Sequence, residues 1–326
     1  MGLKEIFSLV ESELNEVNQH LIEYTRSDIN LINDVSSYII NSGGKRIRVI
    51  LTLLFAKLLS VDKKLAIKIA SITELIHTAT ILHDDVVDDS SMRRGLPTAN
   101  KKYNNPAAVL VGDFVYTRAF QLIAQFNDTD LMTLYTEAVN VISEGEVRQL
   151  VNLGDLTINE EKYFSVIYSK TARLFEVCCH AIALLKYPED KNLQLQLAKF
   201  GSYLGTGFQI ADDVIDYLSS KEESGKSRGD DLAEGKPTLP LIRLREVGNQ
   251  DDKALVEDII MQRKGVEVLD YVVERMQALN CFDYSMQRAY QEADKAKEII
   301  LSVETSNEKV KSALLELADL SVRRVA

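Results

Sequence analysis

Apolar positions recur at helical spacing along almost the whole chain. Leu3, Ile6, Phe7, Val10, Leu14, Val17 and Leu21 predict an amphipathic helix at the N-terminus. The pattern resumes over 29–40 and stops at Gly43-Gly44, a pair suited to ending a helix. Helices are predicted over 49–59, 65–87 and 107–125. Asn127-Asp128-Thr129-Asp130 then interrupts the pattern with capping residues, ahead of a helix reaching residue 150. Thr157 and Glu160 have capping-box spacing before a helix over 163–185. Another helix is predicted over 193–218. The chain from 241 onward reads as helices, with Thr305 and Glu308 as a second capping box.

Composition sharpens this picture. The prolines (Pro97, Pro106, Pro188, Pro237 and Pro240) all fall between periodic segments, which leaves the helices uninterrupted. With 46% hydrophobic residues in 326, the chain can bury a large core. A net charge of −11 argues against a general nucleic-acid surface and means that an anionic ligand needs local cations or a metal. Cys178, Cys179 and Cys281 give no disulfide framework, so a reducing, cytoplasmic location is expected. Cys178-Cys179-His180 reads as core, because adjacent cysteines lack the usual metal-ligand spacing. No apolar run of about 18 residues stands out, so no transmembrane segment is expected.

The candidate chemistry centres on HTATILHDDVVDDSSMRRG, residues 77–95. Asp84 and Asp88 are four residues apart and share a helix face, with Asp85 beside them. Like charges so placed repel unless a cation joins them, and hard carboxylate oxygens suit Mg²⁺. Arg93 and Arg94 follow, and guanidinium groups bind phosphate bidentately. The spacing is repeated at Asp212, Asp213 and Asp216 within QIADDVIDY. Both copies lie in apolar helical sequence, where an unpaired carboxylate is costly. Two such helices facing each other would hold Mg²⁺ and a diphosphate between them.

Basic groups are set around these motifs. Lys45 and Arg48 follow the Gly-Gly turn at the start of a helix, a place suited to an anion, although an ordinary basic helix start has the same look. His77 lies on the Asp84 face, about 10 Å away along the helix. His83 has no such support and reads as structural. Lys170 and Thr171 lie inside a helix. Lys226 and Lys236 lie in KEESGKSRGDDLAEGKPTLP, a long Gly/Ser/charge-rich loop.

The segments GGKRIR at 43–48, HDDVVDDSSMRRG at 83–95, KTA at 170–172, GFQIADDVIDY at 207–217 and GKSRGDDLAEGKPTLP at 225–240 together resemble the trans-type polyprenyl diphosphate synthases. The resemblance runs across most of the chain. GDFVYTRAF at 112–120 is most similar to the long-chain, octaprenyl-type members. It implies an all-α, single-domain bundle over 1–326, of the isoprenoid-synthase type, with antiparallel helices around a deep central cavity. It also implies a homodimer, isopentenyl and allylic diphosphates as substrates, and transient membrane contact at most, for product release. Asp84, Asp88 and Asp212 would be Mg²⁺ ligands, with about three ions per site, and Asp85, Asp213 and Asp216 would support them. Arg93, Lys170 and Lys226 would hold the allylic diphosphate. Lys45, Arg48, His77 and Arg94 would hold isopentenyl diphosphate. Thr171 and Gln209 would line the reacting carbons, and Lys236 would help close the loop.

Chain length is legible in the same helix. Thr80, Ile76 and Thr73 would lie about 6, 12 and 16 Å below Asp84. Short-chain relatives place a bulky aromatic four or five residues before the first Asp of the motif, where this chain has the small Ala79 and Thr80. The tunnel should therefore continue to a floor supplied by other helices, with Leu131 and Tyr135 as candidates. An octaprenyl-type product for quinone side chains is expected. The alternatives are a geranylgeranyl-type shorter-chain synthase, a class I terpene cyclase and a non-catalytic subunit of a heteromeric synthase. In a cyclase of that class the second motif usually has an Asn/Asp, Ser/Thr, Glu pattern. Here those positions are Asp212, Asp216 and Ser220, a poor match.

Overall fold

The structure is a computed structural model and describes residues 2–218, 228–262 and 265–323. It is built of helices. They are α1 (Leu3–Ser8), α2 (Glu11–Tyr24), α3 (Asn30–Asn41), α4 (Ile47–Leu58), α5 (Lys63–Val87), α6 (Ala99–Tyr103), α7 (Asn105–Ala124), α8 (Thr129–Val151), α9 (Glu160–Ile167), α10 (Arg173–Lys186) and α11 (Lys191–Leu218). After these come α12 (Asp230–Ala233), α13 (Leu239–Val247), α14 (Gln250–Gln262), α15 (Gly265–Ala278), α16 (Cys281–Ser302) and α17 (Glu308–Val322). Among the described residues the only strands are β1 (Met92–Arg93) and β2 (Leu96–Pro97), a two-residue hairpin absent from the sequence reading. Its Arg94 and Gly95 both have positive φ, as a tight primed-type turn requires.

The elements end where local chemistry ends them. Asp62 caps α5 by accepting from the Lys64 and Leu65 N–H groups, and Asp128 caps α8 by accepting from Leu131. Two expected capping boxes need correcting. Asn159 caps α9 and Asn307 caps α17, while Thr157 bonds Asp155 and Thr305 donates to the Leu58 carbonyl. The expected single N-terminal helix is broken between α1 and α2. The expected helix over 163–185 is divided by a π-helical segment, Tyr168–Ala172, between α9 and α10.

Two apolar clusters make up the interior. One gathers α4, α5 and α10 around residues such as Phe55, Leu75 and Phe175; the other gathers the C-terminal helices around Tyr217, Val256 and Met276. Helix α11 runs through both, with Phe200 and Leu204 in the first and Ile210 and Val214 in the second. It meets α10 closely. A Cβ on Gly201 would lie 2.1 Å from the Phe175 carbonyl oxygen, and one on Gly205 would lie 2.8 Å from the Ala172 Cα. That approach sets the second acidic motif beside the π-helical segment.

Helices α5 and α7 have the length and mean hydropathy of a membrane span, contrary to the expectation of no such run. In α5 the cause is burial: 78% of its apolar stretch is buried in the bundle. Helix α7 keeps an exposed apolar edge, with Leu110 66% exposed.

Candidate active site

Both acidic motifs open onto one cavity of about 740 Å³, lined from α5 by His77, Thr80, Ile81, Asp84 and Asp88 and from α11 by Phe208, Gln209, Asp212 and Asp213. The turn before α4 adds Lys45, Arg46 and Arg48, the hairpin adds Arg93 and Arg94, and the π-helical segment adds Lys170 and Thr171. Lys236 closes one side with Asp231. Lys226 lies outside the described residues. All the other residues assigned to metal or diphosphate line this cavity, except Asp85 and Asp216.

Those two act from behind it. Asp85 is fully buried and takes Arg93 Nε and Nη2 at 3.0 and 2.8 Å on Oδ1. Asp216 accepts the Asp231 N–H at 3.2 Å and, through its carbonyl, that of Gly229 at 2.9 Å, so it anchors the chain where it re-enters the site. Asp213 is buried and accepts from Tyr163 Oη and Gln209 Nε2, both at 2.7 Å. Thr171 Oγ1 donates to Gln209 Oε1 at 2.7 Å. The chain Thr171–Gln209–Asp213–Tyr163 fixes the amide of Gln209 across the cavity wall. Burial first, then the charge of Asp231, raises the Asp213 carboxyl well above its usual range.

The charges are arranged in two zones. Near α5's acidic end, burial and the neighbouring Glu146 and Asp88 push the Asp84 carboxyl up to about 7, against the pull of Lys170 and Arg93. Lys170 Nζ pairs with Glu146 at 2.8 Å. Burial alone would lower its ammonium, but Asp84 and Glu146 outweigh that and raise it. Lys236 Nζ lies 3.3 Å from Asp88 Oδ2, which marks a place where a cation is already favoured. At the other end, Arg48 Nη1 lies 3.1 Å from His77 Nε2, and its guanidinium covers the Phe175 ring at 4.3 Å. Burial, then Arg48, Arg93, Arg94 and Arg46, lowers the imidazole of His77 well below its usual value. His77 is therefore neutral at pH 7, and Arg48 donates to its Nε2. Arg94 Nη1 donates to the Gly43 carbonyl.

The donor set fits a hard divalent cation. Asp84, Asp88 and Asp212 offer only oxygen, in a cavity with phosphate-binding cations. Among the described residues no three His, Cys, Asp or Glu side chains are gathered closely enough to hold a metal by themselves. That suits Mg²⁺, which takes one or two carboxylates and completes its shell with water and substrate phosphates. Cys178 and Cys179 are buried in the core, and burial raises both thiols. His83 faces the Val109 carbonyl at 3.1 Å, on the α7 side of α5.

Of the proposed chain-length residues, Thr80 lines the cavity, whereas Ala79, Ile76 and Tyr135 are fully buried and outside its lining. Tyr135 Oη bonds Thr73 Oγ1 at 2.9 Å, and Leu131 is also fully buried. The sequence reading missed Glu74, Asp231 and Arg46, which line the cavity, and Glu146, which holds Lys170. Glu74, Glu146 and Asp231 carried a faint signal, as acidic side chains within the segments that bear the motifs.

Comparison with known proteins follows this geometry. The family described as Polyprenyl synthetase matches residues 29–276. The octaprenyl diphosphate synthase of Haemophilus influenzae is 45% identical over 324 residues, covering 99% of this chain and 98% of the relative. The crystal structure of a polyprenyl synthase from Caulobacter crescentus CB15, complexed with calcium and isoprenyl diphosphate, superposes with a TM-score of 0.93 at 34% identity, over 100% of this chain and 98% of that one. A decaprenyl diphosphate synthase from Rhodobacter capsulatus gives 0.92 at 32% identity, over 100% of both chains.

Proposed function

This chain belongs to the polyprenyl synthetase family, and from that premise we propose that it is the octaprenyl-type member, extending an allylic diphosphate such as farnesyl diphosphate with isopentenyl diphosphate. It is a long-chain trans-polyprenyl diphosphate synthase, a prenyltransferase. One observation carries the reading: two acidic motifs and two separate groups of cations open onto a single cavity. One group, Arg93 and Lys170, stands near Asp84 and suits the allylic diphosphate that must leave. The other, Lys45, Arg48, His77 and Arg94, suits a diphosphate that stays attached. A cyclase, which handles one diphosphate, has no use for that second group. A non-catalytic subunit has no use for the intact acidic motifs.

The chemistry follows from the layout. The allylic C–O bond breaks, the electron pair leaves with the diphosphate, and Arg93 and Lys170 stabilise the departing charge. A divalent metal, held by Asp84, Asp88 and Asp212, supplies further charge neutralisation and Lewis acidity when bound. The Lys45–Arg48–Arg94 group, with His77 donating through Nδ1, holds isopentenyl diphosphate so that its double bond meets the allylic cation. A new C–C bond forms, and a proton leaves the resulting cation for the released diphosphate. Thr171 and Gln209, bonded to each other, present oxygen dipoles to the reacting carbons. The apolar walls, including Phe175, Phe208 and Ile81, keep water from the cation.

Several finer points belong to the same proposal. About three Mg²⁺ ions would serve the two diphosphates. Lys226 would join the allylic group and Lys236 would close over it. The whole of 1–326 would be one synthase domain, a view supported by α11 running through both apolar clusters. Two copies would pair through the exposed apolar edges of α7 and α8, where Leu110, Val147 and Val151 are 66%, 60% and 75% exposed. The enzyme would work in the cytoplasm and touch a membrane only to release its product. Incubating purified protein with labelled isopentenyl diphosphate, farnesyl diphosphate and Mg²⁺, then sizing the products, tests the reading. A ladder ending at octaprenyl is expected. A cyclic hydrocarbon or no incorporation would overturn the reading, and a ladder ending at geranylgeranyl would overturn the length.

A further inference from the structure

The turn between α3 and α4 is held by a pair of residues that the mechanism above does not use. Gly43, Gly44 and Arg46 have φ of +88°, +128° and +47°. For Arg46 this is the left-handed region, which a residue with a Cβ disfavours. Two contacts hold it there. Arg46 Nη1 donates to Glu74 Oε1, and Nη2 donates to the Ile40 carbonyl at 2.6 Å, in the last turn of α3. On the opposite side the Arg94 guanidinium lies against Gly44, so close that a Cβ there would meet it at 2.7 Å, and it donates to the Gly43 carbonyl.

Glu74 is a paradox in this setting. Its side chain is only 5% exposed, and it lines the cavity from α5, three residues before His77. It stands among Lys45, Arg48 and Arg94, where an anion is to bind. By charge alone it repels that anion and weakens the site. Its contribution therefore has to be geometric. We propose that Glu74 is a positioning residue: by anchoring Arg46 it holds the Gly43–Arg46 turn in the left-handed form that presents Lys45 and Arg48 to isopentenyl diphosphate. The proposal rests on the assignment of that substrate to this end of the cavity. Arg93, Lys170 and Asp84 stand on other elements, so the allylic end is not coupled to the turn.

Charge and geometry predict opposite signs, which makes the test direct. Isopentenyl diphosphate is titrated calorimetrically into the metal-free protein, and KM is measured for both substrates. In Glu74→Gln the Kd and KM for isopentenyl diphosphate should rise about tenfold, while the allylic KM stays within about twofold. Arg46→Ala should show the same split, and the double variant should be no worse than the worse single one, because the pair acts as a unit. Arg46→Gly should retain more affinity than Arg46→Ala, since glycine adopts positive φ without strain. Tighter or unchanged binding in Glu74→Gln would overturn the proposal, and additive losses in the double variant would do the same. If Glu74→Gln does not fold, the comparison of Arg46→Ala with Arg46→Gly decides alone. Failure of the unaltered protein to bind isopentenyl diphosphate would instead sink the substrate assignment.

Discussion

Asp84→Asn should make the metal-free protein more stable at pH 8 while removing nearly all turnover. The Asp84 carboxyl is pushed from 3.8 up to about 7 by burial and by Glu146 and Asp88. The folded state thus holds a proton that the unfolded chain has released. Stability linked to that proton is fully present below about pH 4 and is lost as pH rises through about 7. A gap of about three pKa units at ~1.4 kcal/mol each gives an upper bound of ~4 kcal/mol. Water in the open cavity screens the carboxylate, so ~2 kcal/mol is the working figure. Asparagine resembles the protonated acid in size and polarity but cannot ionise. Urea unfolding with a chelator present should therefore show the variant ahead by ~2 kcal/mol at pH 8 and level with the parent near pH 4. A variant less stable than the parent at pH 8 would refute the reasoning, because Asp84 would then be a stabilising partner of Lys170 rather than a strained carboxylate. The same substitution takes away a metal oxygen, and turnover should fall by several orders of magnitude.

Three further outcomes are expected. Arg48→Ala removes a buried cation bonded to His77, at about 1.5–3 kcal/mol for such a bond, so KM for isopentenyl diphosphate should rise roughly tenfold to a hundredfold. A larger rise in the allylic KM would mean that the two ends of the cavity are assigned the wrong way round. Thr80→Tyr, which projects from the cavity wall one turn below Asp84, should shorten the products more than Ala79→Tyr, whose site is buried off the lining. An unchanged product distribution in Thr80→Tyr would show that the chain grows elsewhere. Chelating divalent metal should stop turnover and leave far-UV circular dichroism intact, since no three carboxylates are gathered around a metal among the described residues. Loss of helicity on chelation would contradict the open, substrate-completed site.

The helices and both acidic motifs were readable because burial imposes a period of 3.6 on a two-faced helix. The basic turn and Lys170 became readable once the motifs stood beside them. What stayed hidden depended on contacts between distant segments. Glu74 and Glu146 look like surface carboxylates in sequence, yet each is paired with a cation across the cavity wall. The hairpin at 92–97 is too short to show alternation. The capping boxes were misread because Asn159 and Asn307 compete with the nearby threonines and win the N–H groups. The left-handed Arg46 has no local signature, since its conformation is held by α3 and α5.

The π-helical segment at Tyr168–Ala172 has a consequence for how this chain can vary in length. It spreads an extra residue over one turn, and so sets the phase between α9 and α10. Deleting one residue, Ser169 for instance, would let the stretch close into regular α-helix and rotate α9 by about 100° relative to α10. Tyr163 would swing off Asp213, although not one contact of the downstream core need change. Substitutions across these five positions can be absorbed one at a time; a frame-preserving codon loss cannot. In this stretch it is the residue count, more than any single side chain, that is held constant by the two helices it joins.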